Sequence, residues 1–226
     1  MQHRIDHGER LVGAKLGMTS QVVQRALNVA EPVYGWLTSG MLAEPGEPMS
    51  GRGFTQARAE PEIALLIRDE LAAPVTVAGV LAATESVYGA IEVLESHYTD
   101  YRYKRPDVIA DNVGAGAVVL GTRPRRPDEL DDLGLIGCTF RRRGELVGTA
   151  AGAAALGHPA AAVVWLVDAL AARGQTLPAG SLVLTDGLTR PVPLVLTDVV
   201  IELQEGDKLR LMSPLLRKLA QKTPRS

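Results

Sequence analysis

RAEPEIALLI, residues 58–67, sets Glu60 and Glu62 on either side of Pro61 and then runs into an unbroken apolar stretch. In a strand, residues i and i+2 share a face about 6 to 7 Å apart, so both carboxylates would aim into the same space. On a helix they would diverge by about 200°. Ile63, Leu65 and Ile67 form one face, while Ala64 and Leu66 continue the glutamate face. Beyond the pair the segment is apolar on both sides, which predicts a buried strand with an acidic pair at the edge of a core. Two carboxylates crowded in a low-dielectric site repel, and a proton or a cation must neutralise them. A hard divalent ion answers that need, and magnesium keeps several waters that a substrate can displace. The next acidic candidates are Glu92 and Glu95 in YGAIEVLESHY (88–98), and spacing alone leaves both open. Taken by itself, such a pair is more often a solvated feature of a strand edge.

The 226 residues are 46% hydrophobic, enough for a sizeable core, and no 20- to 50-residue period or low-complexity linker divides them. One domain over 1–226 is the expectation. A net charge of −2, spread along the chain, offers no footprint for nucleic acid or an anionic membrane. Small molecules and other protein chains are the expected partners. Cys138 is the single cysteine, so neither an intramolecular disulfide nor a cysteine cluster can form. MQHRIDHGERLVG (1–13) lacks the apolar region of a signal peptide, and no stretch approaches roughly 20 uninterrupted apolar residues. A cytoplasmic location is expected. The basic end GDKLRLMSPLLRKLAQKTPRS (206–226) reads as a solvated terminal helix.

SLVLTDG (181–187) and GAVVLG (116–121) read as further buried strands, and IGCTFRRRGELVGTAAG (136–152) as a hairpin turning at Arg143-Gly144. Its run Arg141-Arg142-Arg143 reads as a solvated turn. HPAAAVVWLVDALAARG (158–174) predicts a helix with Pro159 in its first position and Gly174 at C′. His158, directly before that proline, reads as a helix cap. TSQVVQRALNV (19–29) predicts a second helix capped by Thr19 or Ser20, and TVAGVLAAT (76–84) a third. Strands dominate, so the fold class is α+β with a mixed sheet curling toward a barrel.

Six stretches share the order found in one family: GAKLGMTS (13–20), EPVYGWLTSGML (31–42), EPEIALLI (60–67), AIEVLESHYTDYRY (90–103), DVIADNVGAGAVVLG (107–121) and AALGHPAAAVVWL (154–166). From about Gly8 to about Asp207 the chain resembles the 2-oxopent-4-enoate hydratase and 4-oxalocrotonate decarboxylase family of the fumarylacetoacetate hydrolase superfamily. The resemblance implies a mixed β-sandwich roll that binds Mg2+ or Mn2+ on Glu60, Glu62 and Glu92. It gives Lys15 a catalytic role, meeting a substrate carboxylate or moving protons. Glu95 takes a supporting place, and Asp111, Asn112 and Gly114 lie around the substrate, with Asp111 and Asn112 ordering a turn. The implied chemistry is that of a lyase in aromatic catabolism acting on a 2-oxo acid, whose 2-oxo oxygen collects charge as an enolate.

PVYGWL and ESHYTDYRY look more like the decarboxylase branch, which converts 4-oxalocrotonate (2-oxohex-3-enedioate) to 2-hydroxypenta-2,4-dienoate. The alternative is the hydratase, which adds water to that dienoate to give 4-hydroxy-2-oxopentanoate. An acylpyruvate hydrolase-like enzyme and an inactive scaffold subunit are further readings, though intact Lys15, Glu60, Glu62 and Glu92 argue against a scaffold. The resemblance also implies a homo-oligomer, or association with a homologous hydratase or decarboxylase. Five features depart from the family. Val113, Gly114 and Ala115 replace hydroxyl-bearing residues after Asn112, which leaves backbone N–H groups near Gly114 and Gly116 to meet the far end of a substrate. His97 replaces an arginine, and Asp186 stands where the family has glycine. The N-terminal helical segment is short, and a basic tail occupies about 207–226 in place of a closing strand.

Overall fold

The computed structural model describes residues 2–27, 29–47, 49, 53–142, 144–194, 199–205 and 207–210. Along the chain run α1 (Gln2–Asp6), β1 (Leu11–Gly17), α2 (Gln21–Leu27), β2 (Val33–Thr38), β3 (Leu42–Ala43), β4 (Arg58–Ile67), α3 (Val77–Ala82) and β5 (Thr84–Leu94). They continue as α4 (Arg105–Ala110), β6 (Ala115–Leu120), β7 (Gly137–Arg142), β8 (Glu145–Ala151), α5 (Pro159–Ala171), β9 (Leu182–Leu184), β10 (Val192–Pro193), β11 (Val199–Glu205) and β12 (Asp207–Arg210).

The larger sheet has the order β2-β1-β9-β4-β5-β6-β3, with β10 also on β4, and the smaller one the order β12-β11-β7-β8. β1 with β9 and β3 with β6 are parallel, and the other pairs are antiparallel, so the sheet is mixed as expected. β4 lies at its centre, and its alternation divides the core. Ile63, Leu65 and Ile67 join the cluster under α5, while Ala64 on the other face packs with Leu37, Met41 and Leu184.

α5 begins at Pro159 with His158 as N-cap, whose Nδ1 accepts from Ala160 N at 3.0 Å. It ends where Gly174, at φ 68°, lets Gly174 N reach Ala171 O and Gln175 N reach Leu170 O. That pair of bonds is the Schellman closure the glycine foreshadowed. Gly152–Ala171 is apolar enough by composition to cross a membrane, but His158 and Asp168 interrupt it. Ala160, Ala162, Val163, Leu166, Val167 and Leu170 are buried in the chain's own core, so this alanine-rich face is not available to a partner subunit.

Three local expectations change. Thr19 does not cap α2, because its N–H and hydroxyl both bond Asp186. Asn112 does order its turn through side-chain bonds to the backbone, but its partner is Trp36 of β2, 76 residues away, not a local one. At the C-terminus, 207–210 is strand β12 paired with β11, not helix, since the antiparallel partner supplies its backbone bonds. The remainder of that basic stretch, and Arg143 of the arginine run, lie outside the described residues.

Gly152 sits where a Cβ would meet Leu133 O at 1.9 Å. Gly152→Ala is therefore expected to destabilise the protein by about 3 kcal/mol, read as a lower urea midpoint, because backbone and not a flexible side chain must give way.

Candidate active site

The β4–β5 register places Glu60 directly opposite Glu92, and Glu62 opposite Ala90. Like charges directly opposite on a sheet are normally avoided. Here all three glutamates are buried, at 6%, 0% and 0% exposure, with one oxygen from each within 4.8 Å of the others. Glu62 Oε1 and Glu92 Oε1 have no hydrogen-bond partner. Glu95, an odd number of residues beyond Glu92 and past a register shift at the end of β5, turns away. Its carboxylate accepts from Thr55 N at 3.0 Å, Thr55 Oγ1 at 2.5 Å and Gln56 N at 3.2 Å, so it clasps the loop before β4.

Lys15 comes from β1, two strands from β4, and is buried at 2% exposure. Its Nζ lies 2.9 Å from Glu92 Oε2 and donates to Val113 O at 3.0 Å. That carbonyl is aimed by an unusual turn, in which Asn112, Val113 and Gly114 take φ of 52°, 56° and 68°. A β-branched residue at positive φ is strained. The turn is held by Asn112, whose Oδ1 accepts from Trp36 N and whose Nδ2 donates to Trp36 O, at 2.8 and 2.9 Å. Gly114 N donates to Asp111 O, so that N–H is spent inside the turn and not free for a ligand. A side chain at 114 would also face Glu95 O at 3.2 Å from a strained φ, so serine is not readily accommodated there. Asp111 accepts from His97 N and Ser96 Oγ, at 3.0 and 3.2 Å, and its Oδ1 lies 2.5 Å from His97 Nδ1.

One participant was not foreseen as a site residue. Asp186, after β9, donates its N–H to Glu62 Oε2 at 2.9 Å. Next to it, a Cβ on Gly187 would fall 2.2 Å from Glu60 Oε2, so only glycine leaves room for that carboxylate. The Asp-Gly pair reads in sequence as a plain turn signal, and nothing local ties it to residues 60–62. A cavity of about 350 Å³ opens beside the cluster, with Lys15, Glu60, Asp111, Gly114 and Asp186 in its lining. Much of the rest is apolar, including Val22, Val23, Leu94, Val108, Val113 and Leu188.

Burial raises Glu60 and Glu62 well above the ordinary carboxylate range, and repulsion adds to it, from Asp186 and Glu92 at Glu60 and from Glu92 and Glu60 at Glu62. Burial also raises Glu92, against the pull of Lys15, and raises Asp186. At Lys15 burial opposes the charge, but Glu92, Glu62, Glu60 and Asp186 outweigh it and push the pKa up. Crowded carboxylates with unpartnered oxygens and one ammonium form a donor set that suits a hard divalent cation.

No family model matches the chain. A 2-hydroxyhexa-2,4-dienoate hydratase of Comamonas testosteroni is 40% identical over 194 residues, 84% of this chain and 73% of that protein. A 4-oxalocrotonate decarboxylase of Pseudomonas sp. is 37% identical over 192 residues, 85% and 74% of the two chains. The solved 4-oxalocrotonate decarboxylase from Pseudomonas putida G7, complexed with magnesium and adipate, matches with a TM-score of 0.88 at 30% identity, over 92% of this chain and 80% of that one. A protein assigned to the fumarylacetoacetate hydrolase family, from Yersinia pestis CO92, shares the fold with a TM-score of 0.67 at 16% identity, over 88% and 91%. The curled, mixed β architecture is thus the fumarylacetoacetate hydrolase type.

A carboxyl whose folded pKa lies above its unfolded value binds more protons when folded, so its contribution favours folding at acid pH and is lost as pH rises through the raised range. Lys15, raised above an already high value, does not shape that window. The metal-free protein is expected to lose thermal stability between about pH 5 and about pH 8, and Glu62→Gln to raise its Tm at the upper end. Magnesium should raise Tm more at pH 8 than at pH 5. A metal-free Tm that climbs across this window, followed by calorimetry, contradicts a repelling buried cluster.

Proposed function

The chain belongs to the 2-keto-4-pentenoate hydratase and 4-oxalocrotonate decarboxylase family of lyases, and from that membership we propose that it hydrates a 2-hydroxy-2,4-dienoate such as 2-hydroxypenta-2,4-dienoate. The observation that carries this reading is the union of a buried trio of carboxylates with a mostly apolar cavity. Glu60, Glu62 and Glu92 would hold Mg2+ or Mn2+. When bound, that ion supplies Lewis acidity to the oxygens of a 2-oxo acid head.

The chain's own groups account for binding and proton management. Lys15 has three N–H donors, and Glu92 and Val113 O occupy two, leaving one for a substrate carboxylate or a proton in transit. Hydration moves the proton of the 2-hydroxyl to C5 and then adds water as OH at C4 and H at C3. Lys15 or water in the cavity serves the general acid–base steps. The walls around Val22, Val23 and Leu188 suit the apolar diene. Asp111 and Gly114 border the substrate, while Asn112 and Glu95 act from behind, holding the Val113 turn and the 54–56 loop.

Decarboxylation of 4-oxalocrotonate is the second reading, favoured by Arg190. It lines the cavity, and its guanidinium makes no ion pair among the described residues. With the free Lys15 donor assigned to the head of the substrate, a distal carboxylate would meet Arg190 at an exposed position. We place the activity in a single catalytic domain that assembles at least as a homodimer. Light scattering should then give at least twice the 24.0 kDa chain mass at micromolar concentration, and a monomer mass removes this part of the proposal.

The deciding assay follows ultraviolet absorbance and CO2 release with each substrate, with and without magnesium. Consumption of the dienoate is expected to exceed that of 4-oxalocrotonate by about tenfold in kcat/KM, the scale of one missing hydrogen bond to a charged group. Glu62→Gln should abolish magnesium-dependent turnover. Preferential CO2 release from 4-oxalocrotonate would give the decarboxylase reading its place.

A further inference from the structure

We infer that Asp186 is a positioning residue that fastens the corner between β1 and α2, one wall of the cavity, to the carboxylate cluster. Its Oδ2 accepts from both Thr19 N at 2.7 Å and Thr19 Oγ1 at 2.9 Å, and the same hydroxyl lies 3.3 Å from Thr185 O. Its own N–H holds Glu62 Oε2 at 2.9 Å. Asp186 therefore grips the corner with its side chain and the cluster with its backbone. The corner itself turns at Met18, φ 61°, whose carbonyl is taken by Gln24 Nε2 at 2.7 Å. Gly17, Met18, Ser20, Val22 and Val23 follow through this segment and line the cavity.

Two features separate this role from an ordinary turn. Asp186 stands at φ 92°, a conformation that favours glycine, so the backbone alone would be better served without a side chain. The carboxylate is also directed at Thr19, and it lies outside the group of oxygens that Glu60, Glu62 and Glu92 bring together. Replacing it by glycine keeps the N–H that holds Glu62, and removes the grip on Thr19 together with one carboxylate charge near Glu60 and Lys15. Asparagine keeps an acceptor for Thr19 without the charge.

The test compares the parent with Asp186→Gly and Asp186→Asn. Three readouts are taken: hydrogen exchange of the amides at 19–24, Mn2+ binding by calorimetry, and kcat and KM on 2-hydroxypenta-2,4-dienoate. Asp186→Gly should exchange faster in that segment and raise KM, each by about tenfold, with kcat nearly unchanged and Mn2+ affinity equal to that of Asp186→Asn, which lacks the same charge. Asp186→Asn should recover most of both effects. Unchanged exchange or unchanged KM in Asp186→Gly overturns the inference. So does an Mn2+ affinity lower in Asp186→Gly than in Asp186→Asn, which would make the side-chain oxygen a ligand, or an asparagine variant no better than glycine in exchange and KM, which would make its charge the point. Only the kinetic arm rests on the proposed hydration. If the parent does not turn over the dienoate, that reading fails separately and the exchange and Mn2+ arms decide this one.

Discussion

Glu60 and Glu92 face each other across β4 and β5 with Glu62 one step along, and this crowding of like charge in a dry site is the constraint that the surrounding elements answer. Three carboxylates and the ammonium of Lys15 leave two negative charges uncompensated when all are ionised. Protons can fill that deficit only by holding the carboxyls neutral, which the raised pKa values express, whereas a divalent cation cancels it outright. Asp186 adds a half-buried carboxylate beside the trio; Thr19 donates two hydrogen bonds to it, and its charge still adds to the repulsion at Glu60. The room for the cluster is equally constrained, since a methyl group on Gly187 would collide with Glu60.

Residues alone showed what depends on alternation within one strand and on the end signals of one helix, as at Pro159 and Gly174 of α5. The two-residue spacing of Glu60 and Glu62, and the apolar faces that follow, required nothing beyond strand geometry. Choosing between Glu92 and Glu95 needed the pairing register of β5 and the irregularity at Val93 and Leu94, neither of which spacing encodes. There the family resemblance supplied Glu92. Asp186 lies 124 residues from the glutamate it holds and 167 from the threonine that holds it, so no local pattern could link them. The unforeseen partners of Thr19 and Asn112 have one cause. Short polar side chains near a turn satisfy local partners by default, and tertiary partners displaced those defaults.

Local preference and the final structure also disagree at Asn112–Gly114, where three successive left-handed residues include a valine. Such strain persists only where neighbours over-determine it. Asn112 supplies that determination by pairing with Trp36 as if it were one more strand residue, and the Val113 carbonyl then meets Lys15. The ammonium is thus held from two sides, by an acid on a central strand and by a carbonyl on a braced turn. A flexible lysine becomes a fixed donor, so less order remains to be imposed when a ligand arrives.

This arrangement separates two tasks that could have been entangled. Under the proposed function the glutamate trio and Lys15 would deal with an oxygen-rich, electron-accepting head, toward which hydration and decarboxylation both draw charge. The trio is therefore neutral between the two reactions. Discrimination must come from what surrounds the rest of the substrate: the apolar residues of the α2 corner, Val113 and Leu188, with Arg190 as a cation outside the cluster. Changing such walls alters the fit of a tail by a few kcal/mol at most, whereas changing the trio alters whether chemistry occurs at all. A residue that fastens a wall to the trio then stands where specificity and chemistry meet.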